Sequence, residues 1–413
     1  MKKINLMILT GTMLALTSCG SAVNEKTADT SDRSDSTGNG SVETKKPNAD
    51  YKPAFKGQTR IAAIKSKTPY AGTVLSSDLK SPWGIGNLPD GRLIITEKKG
   101  TMRIATLTGT VGAPITGIPE VNDKNQGGLL GITVDPAFAQ NRRIFWVFSE
   151  KLPEGNITSV ARGRLSADEK KIEGATFIYR AVPAYKSSLH YGGRILFDKT
   201  GNLLVSTGER SDLETRPLAQ DLNTALGKIV RITPDGKPAP GNPFAGNNNA
   251  RPEIYSYGHR NVQGLAINPV TGDLWDSEFG PRGGDEINLV VPGKNYGWPT
   301  ITYGIEYSGD KVGAAIQQKP GLEQPVYYWD PVISPSGITF YNSDNIPEWK
   351  NNLFVSALSG SHIIRLVIKN NKVVGEERLL EGESQRFRDI IQGKDGALYA
   401  VTDGGKLYRI YKK

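Results

Sequence analysis

Between Tyr257 and Pro299 the chain gathers a His-Arg-Asn run (His259, Arg260, Asn261), a Gly-Pro turn (Gly280, Pro281) and a Gly-Gly-Asp-Glu loop ending at Glu286. Carboxylates set among turn formers have the composition of an oxygen-donor cation site, since the acids supply charge and the turns aim backbone carbonyls. The spacing is not that of an EF-hand loop, and composition alone leaves a solvated acidic turn as the commoner outcome. Arg386 and Arg388 form an Arg-x-Arg pair downstream. Guanidinium forks match carboxylates and phosphates, so these arginines with Arg260 predict a polyanionic ligand; salt bridges on a solvated rim are the alternative. His190 is one of only three histidines and is followed by Tyr191, Gly192 and Gly193. Its imidazole can take a hydroxyl proton near neutral pH, and the glycines let a ligand or backbone approach. His259 and His362 read as structural residues.

Positioning such residues requires a repeating scaffold, and the chain has one. Six units each pair a short apolar strand with a second across a turn rich in Pro, Asp and Gly. Their first strands are marked by Ile85, Ile132, Ile195, Leu265, Ile338 and Ile390, at intervals of roughly 50 to 70 residues. Many short strands, 47 glycines, 25 prolines and no long amphipathic helix predict an all-β fold. A six-bladed β-propeller closes such a set into a ring with few exposed edges. Gln126, His190, Arg260, Arg386 and Arg388 each stand two to six residues before a first-strand marker, and Glu97, Glu209, Glu278 and Asp403 stand near second-strand ends. In a hairpin those two positions share a rim, so the repeat phase predicts convergence on one mouth of the channel. Glu209 should there orient the His190 ring and stabilise its charged form.

The run GHRNVQGLA, then SEFGP, GGDEINLV and GKNYGWP, resembles the signature region of the pyrroloquinoline-quinone-dependent soluble glucose and aldose sugar dehydrogenases, which are six-bladed propellers. The similarity runs from about Lys80 to the C-terminus. It implies oxidation of the anomeric hydroxyl of an aldose to a lactone, with hydride passing to the quinone, calcium polarising it, and calcium with Arg260 as catalytic groups stabilising the developing oxyanion. His190 matches the family's base, and Glu209 the position of its acidic partner. Gln126, Arg260, Asn261, Tyr307, Arg386 and Arg388 match cofactor contacts. Gly280 and Pro281 match the turn whose carbonyls hold the catalytic calcium, and Glu286 and Tyr296 a second, structural calcium. One departure stands out: where the family commonly has lysine after Ala-Leu, this chain has Ser359.

The first 19 residues read as a lipoprotein signal peptide: Lys2 and Lys3, an apolar stretch too short to span a bilayer, then Leu16-Thr17-Ser18-Cys19, which resembles a lipobox. Cys19 is the single cysteine, so it forms no internal disulfide and is the expected lipidation site. The expectation is an exported protein held to the bacterial envelope by lipid alone. Residues 20–54 are polar and poor in large apolar groups, predicting a disordered tether, with the propeller occupying 55–413. The net charge of +9 is spread along the chain without a basic-aromatic stripe, which excludes nucleic acid. Phosphate-cradling and dinucleotide glycine motifs are absent, as is Cys/His metal spacing. The expected partners are an aldose and an unidentified electron acceptor. Two rivals stay open: a calcium-dependent propeller lactonase or esterase, and a non-catalytic binding module.

Overall fold

The structure is a computed structural model and describes residues 40–413. The signal peptide, Cys19 and the first part of the expected tether lie outside the described residues.

Each repeat unit predicted from sequence forms an antiparallel sheet, and six sheets form a six-bladed β-propeller. The innermost strands are Pro82–Asn87, Leu129–Val134, Ile195–Phe197, Val262–Ile267, Pro335–Phe340 and Phe387–Gln392. Each touches the innermost strand before and after it, and the last touches the first, so the ring is complete. The first blade has three strands and the others four. Closure comes from the two ends of the chain: Tyr70–Ser76 pairs with Leu407–Lys412 as the outer strand of the last blade.

Alternation along each strand, with a period of two, turns one set of side chains to the preceding blade and the other to the following one. The apolar core is therefore six layers between blades rather than one ball. Trp146 and Phe148 pack against Ile94 and Met102 between the first two blades. Trp275 and Ile287 pack against Ile338 and Phe340 between the fourth and fifth. The thinnest apolar layer lies between the third and fourth blades, around Leu204, Ile229, Leu274 and Val290. All six first-strand markers, Ile85 to Ile390, line one cavity on the central channel. The residues just before them line a separate cavity at the other end of the same strands. Between the two, Arg194 and Asp389 form a buried ion pair that crosses the channel from the third blade to the last.

The tether expectation changes at its C-terminal end. Residues 40–54 lie against the outer strands of the fourth and fifth blades. Ser41 bridges Ala62, Glu43 pairs with Arg378 at 2.8 Å, and Asn48 and Ala49 donate three hydrogen bonds to the Asp330 carboxylate. Arg60 donates to the carbonyls of Glu43, Lys45 and Asp330. Composition reads this stretch as unable to bury apolar surface. It is fixed instead by polar partners that are distant in sequence.

Candidate active site

The cavity ahead of the first strands measures about 460 Å³, within the range of roughly 300–1,000 Å³ typical of small-molecule sites. Its wall includes Trp83, Lys98, Gln126, His190, Gln263, Gly280, Pro281, Asp285, Tyr307, Arg386, Arg388 and Asp403. Tyr307 stands at its edge with 70% of its surface exposed.

His190 is buried and sits on a left-handed backbone turn at φ 46°, held there by its N–H bond to the Gln126 side chain at 2.8 Å. Its Nδ1 meets Glu209 Oε1 at 2.5 Å, while Nε2 has no protein hydrogen bond among the described residues. The loop carrying Glu209 reaches this close because Gly208 lies against the His190 carbonyl, where an added Cβ would come within 2.3 Å of the oxygen. Burial, followed by the Arg260 charge, lowers the His190 pKa to about 4 against the opposing pull of Glu209. The ring is therefore neutral at pH 7. Nδ1–H donates to the carboxylate, and Nε2 is the proton-accepting atom. Glu209 favours the charged form of the ring, as expected, but desolvation outweighs it, so the resting ring is neutral and Glu209 fixes its tautomer.

Arg386 and Arg388 both enter the cavity wall, tethered by Asp403: Nε of Arg386 donates at 2.9 Å and Nε of Arg388 at 2.8 Å. Lys98, absent from the sequence-based selection, lines the same cavity and donates to the Asn125 carbonyl. Burial and then the Arg388 charge hold its pKa below the usual lysine range. Three cations thus face one small volume. Where the family commonly places lysine, the Ser359 hydroxyl bonds that of Ser334 at 2.8 Å, and Ser334 lines the cavity.

Arg260 and Asn261 stand one layer behind the wall instead of lining it. The Arg260 guanidinium spans the Phe279 and Gly280 carbonyls at 3.1 and 2.7 Å and lies over Trp298, so it braces the Gly280–Pro281 turn. The Asn261 Oδ1 accepts the Gly192 N–H at 2.9 Å, leaving its buried Nδ2 without a partner. The turn's geometry depends on Gly280, where an added Cβ would fall 2.3 Å from the Gly283 and Gly284 carbonyl oxygens. Asp285 underlies it, accepting N–H bonds from Gly280, Ile333 and Ser334, and burial pushes its carboxyl up to about 7. Both carboxylates of the wall, Asp285 and Asp403, are therefore committed to protein donors, which weighs against the hydrolase rival with its cation held by channel carboxylates.

Glu286 and Tyr296 do come together, lining a small separate cavity with Glu278 and Trp298. Of the carboxylates expected at the rim, Glu209 and Asp403 serve the site. Glu97 and Glu278 turn away, the first to the Lys80 N–H and the Thr101 hydroxyl, the second to the Arg260 N–H and His259. Hairpin phase could locate their backbones but not the direction of their side chains. Among the described residues no helix is long and apolar enough to cross a membrane.

Residues 79–409 match the family model described as Glucose / Sorbosone dehydrogenase. The chain is 43% identical over 342 residues to the aldose sugar dehydrogenase YliI of Escherichia coli, covering 82% of this chain and 91% of that protein. The apo form of the soluble aldose sugar dehydrogenase of Escherichia coli superposes with a TM-score of 0.79 at 41% identity, over 84% of this chain and 100% of the other. The PQQ-bound aldose sugar dehydrogenase of Streptomyces coelicolor superposes at 0.69 with 30% identity, over 84% and 100% respectively.

Proposed function

The chain belongs to the Glucose / Sorbosone dehydrogenase family and is a sugar-oxidising oxidoreductase, and from that premise we propose that it oxidises the anomeric hydroxyl of aldoses to lactones using pyrroloquinoline quinone and calcium. The observation that carries this reading is the neutral His190–Glu209 pair opening onto a cavity walled by Lys98, Arg386 and Arg388.

The residues fit both groups. A planar tricarboxylate is matched by two guanidinium forks and an ammonium on one wall, with the amides of Gln126 and Gln263 among them. Calcium takes oxygen donors, and the Gly280–Pro281 turn, with its backbone carbonyls, lines the cavity above the buried Asp285. The Gly280 carbonyl has a second lone pair beside its bond to Arg260, and that of Pro281 accepts no bond among the described residues. The quinone, when bound, supplies a two-electron acceptor for the hydride released from the sugar carbon.

His190 Nε2 takes the proton of the sugar hydroxyl. Nδ1–H stays on Glu209 Oε1, so the imidazolium forms beside a buried carboxylate that offsets its charge. Arg260 acts as a positioning residue, fixing the Phe279 and Gly280 carbonyls and adding positive potential behind them. Trp83 lines the cavity, and Arg194, paired with Asp389, lies over its ring and braces it. The Glu286–Tyr296 pair is assigned a structural calcium. The electron acceptor is an external partner, and Cys19 anchors the chain to the cell envelope.

Adding quinone and calcium to the purified protein, then following dye reduction with a panel of aldoses, tests the reading. Saturable, quinone-dependent reduction with lactone as product is expected. Aldose-dependent turnover that needs no quinone would overturn it.

A further inference from the structure

The layer between the third and fourth blades is apolar around Leu274 and Val290, at the end of the strands away from the cavity. Further along the same face, cross-strand pairing sets Asp276 beside Asn288 and Glu278 beside Glu286. The third blade answers with His259, whose ring is buried completely. Glu278 Oε1 lies 3.1 Å and Asp276 Oδ2 3.5 Å from His259 Nδ1. Asp276 is fully buried, and that Oδ2 has no hydrogen-bond partner. No Lys or Arg side chain pairs with any of these carboxylates among the described residues. Burying so much negative charge is costly unless a cation shares the space.

We propose that His259, Asp276 and Glu278 form a structural site for a divalent transition-metal ion of the zinc class. The donor set fits that class. An imidazole nitrogen with two carboxylate oxygens suits zinc, whereas calcium takes six to eight oxygens and no nitrogen. Zinc lies about 2.0–2.2 Å from N and O ligands, which puts tetrahedral neighbours about 3.3–3.6 Å apart. The separations of 3.1 and 3.5 Å from Nδ1 need only small adjustments. The surrounding contacts orient the ligands. The Ser256 hydroxyl meets Nε2 at 2.8 Å and can hold the proton there, freeing Nδ1 to ligate, while Asn288 donates to the other Asp276 oxygen at 3.1 Å. Glu278 also lines the cavity of the Glu286–Tyr296 pair assigned to calcium, and Asn288 donates to Asp276, Glu278 and Glu286, so the two sites adjoin and His259 with Asp276 sets this one apart. The site is enclosed, so the ion enters as the blades assemble. Glu278 Oε2 also accepts the Arg260 N–H at 2.7 Å, so an ion here stiffens the strand that carries the cavity turn.

The test is metal analysis of the full-length protein refolded with zinc in calcium-containing buffer. Wild type should hold one zinc per chain that excess calcium does not displace, and refolding with a zinc chelator should lower its Tm. Asp276→Asn and Asp276→Leu should lose that equivalent and unfold at one temperature with or without zinc, whereas Glu286→Gln should keep it. Cobalt(II) in place of zinc should give visible d–d absorption in wild type and none in Asp276→Asn. Equal zinc in wild type and both Asp276 variants, or none in wild type, would overturn the proposal.

Discussion

His190 and Glu209 meet at 2.5 Å, Nδ1 to Oε1, across 19 residues of chain, with Gly208 as the hinge that lets the two loops touch. The contact settles which ring nitrogen holds the proton and turns the other toward the cavity. The base proposed for the reaction needs its orientation fixed before substrate arrives, and this pair would supply that.

Replacing His190 with alanine should leave quinone binding within a few-fold of wild type and lower kcat by about 10²–10⁴, the usual contribution of a positioned base. Quinone titration by absorbance and steady-state rates with an aldose separate the two effects. Full turnover in the variant would remove His190 from the mechanism.

The acid limb of the pH–rate profile should move in opposite directions for the two neighbours of the ring. Arg260 lowers the His190 pKa and Glu209 raises it. Arg260→Met should therefore shift the limb to higher pH, and Glu209→Gln to lower pH, with kcat/KM measured on both sides of pH 4. Shifts of the same sign would refute the proposed electrostatics.

Lys98→Met and Arg388→Ala should each weaken quinone binding by about 1.5–3 kcal/mol, the range for hydrogen bonds to charged groups. Lys98 matters here because the lysine expected at position 359 is serine. Calorimetric titration of each variant checks this, and unchanged affinity in both would place the carboxylates elsewhere.

Stability should fall in mild acid because of His190. Its folded pKa is about 4 against an ordinary value of 6.5. Between those pH values the unfolded chain carries a proton that the folded chain lacks, so stability is complete above about 6.5 and is lost as pH falls toward 4. Asp285, raised to about 7, works in the opposite sense over the whole of that window, and His362, also lowered to about 4, in the same sense. The informative quantity is thus the difference between wild type and His190→Gln. Denaturant titrations should show a flatter acid limb in the variant, by on the order of 1–3 kcal/mol.

Cys19→Ala should release the protein from the membrane fraction or block its processing. Fractionation together with the mass of the mature N-terminus decides this, and an unchanged result in both would dismiss the lipid anchor.

The propeller was legible because its signal is local and repeated. A strand, a Pro/Asp/Gly turn and a second strand recur six times, and all six first-strand markers meet on the channel. The same phase located His190, Gln126, Arg386 and Arg388. It placed Arg260 and Asn261 correctly along the chain but not in depth, since hairpin phase fixes where a backbone lies and not which layer its side chain joins. Lys98 follows Glu97 at a second-strand end and could have been found by extending the rim argument one residue. Arg194 and Asp389 carry no such signal, because their pairing spans 195 residues. The docking of residues 40–54 on Asp330 and Arg378 was likewise beyond a reading by composition.

Closure of the ring by Tyr70–Ser76 on Leu407–Lys412 also sets the order of assembly. The last blade joins both ends of the domain, so its outer strand Tyr70–Ser76 stays unpaired until Leu407–Lys412 is in place. The inner strands of the first and last blades meet only then, and with them the walls carrying Trp83 and Arg388. Neighbouring hairpins can build the middle blades, but the ligand cavity comes into being in one late step. Contacts of such long sequence separation make that step slow. A quinone therefore meets a finished site only once the last blade has closed.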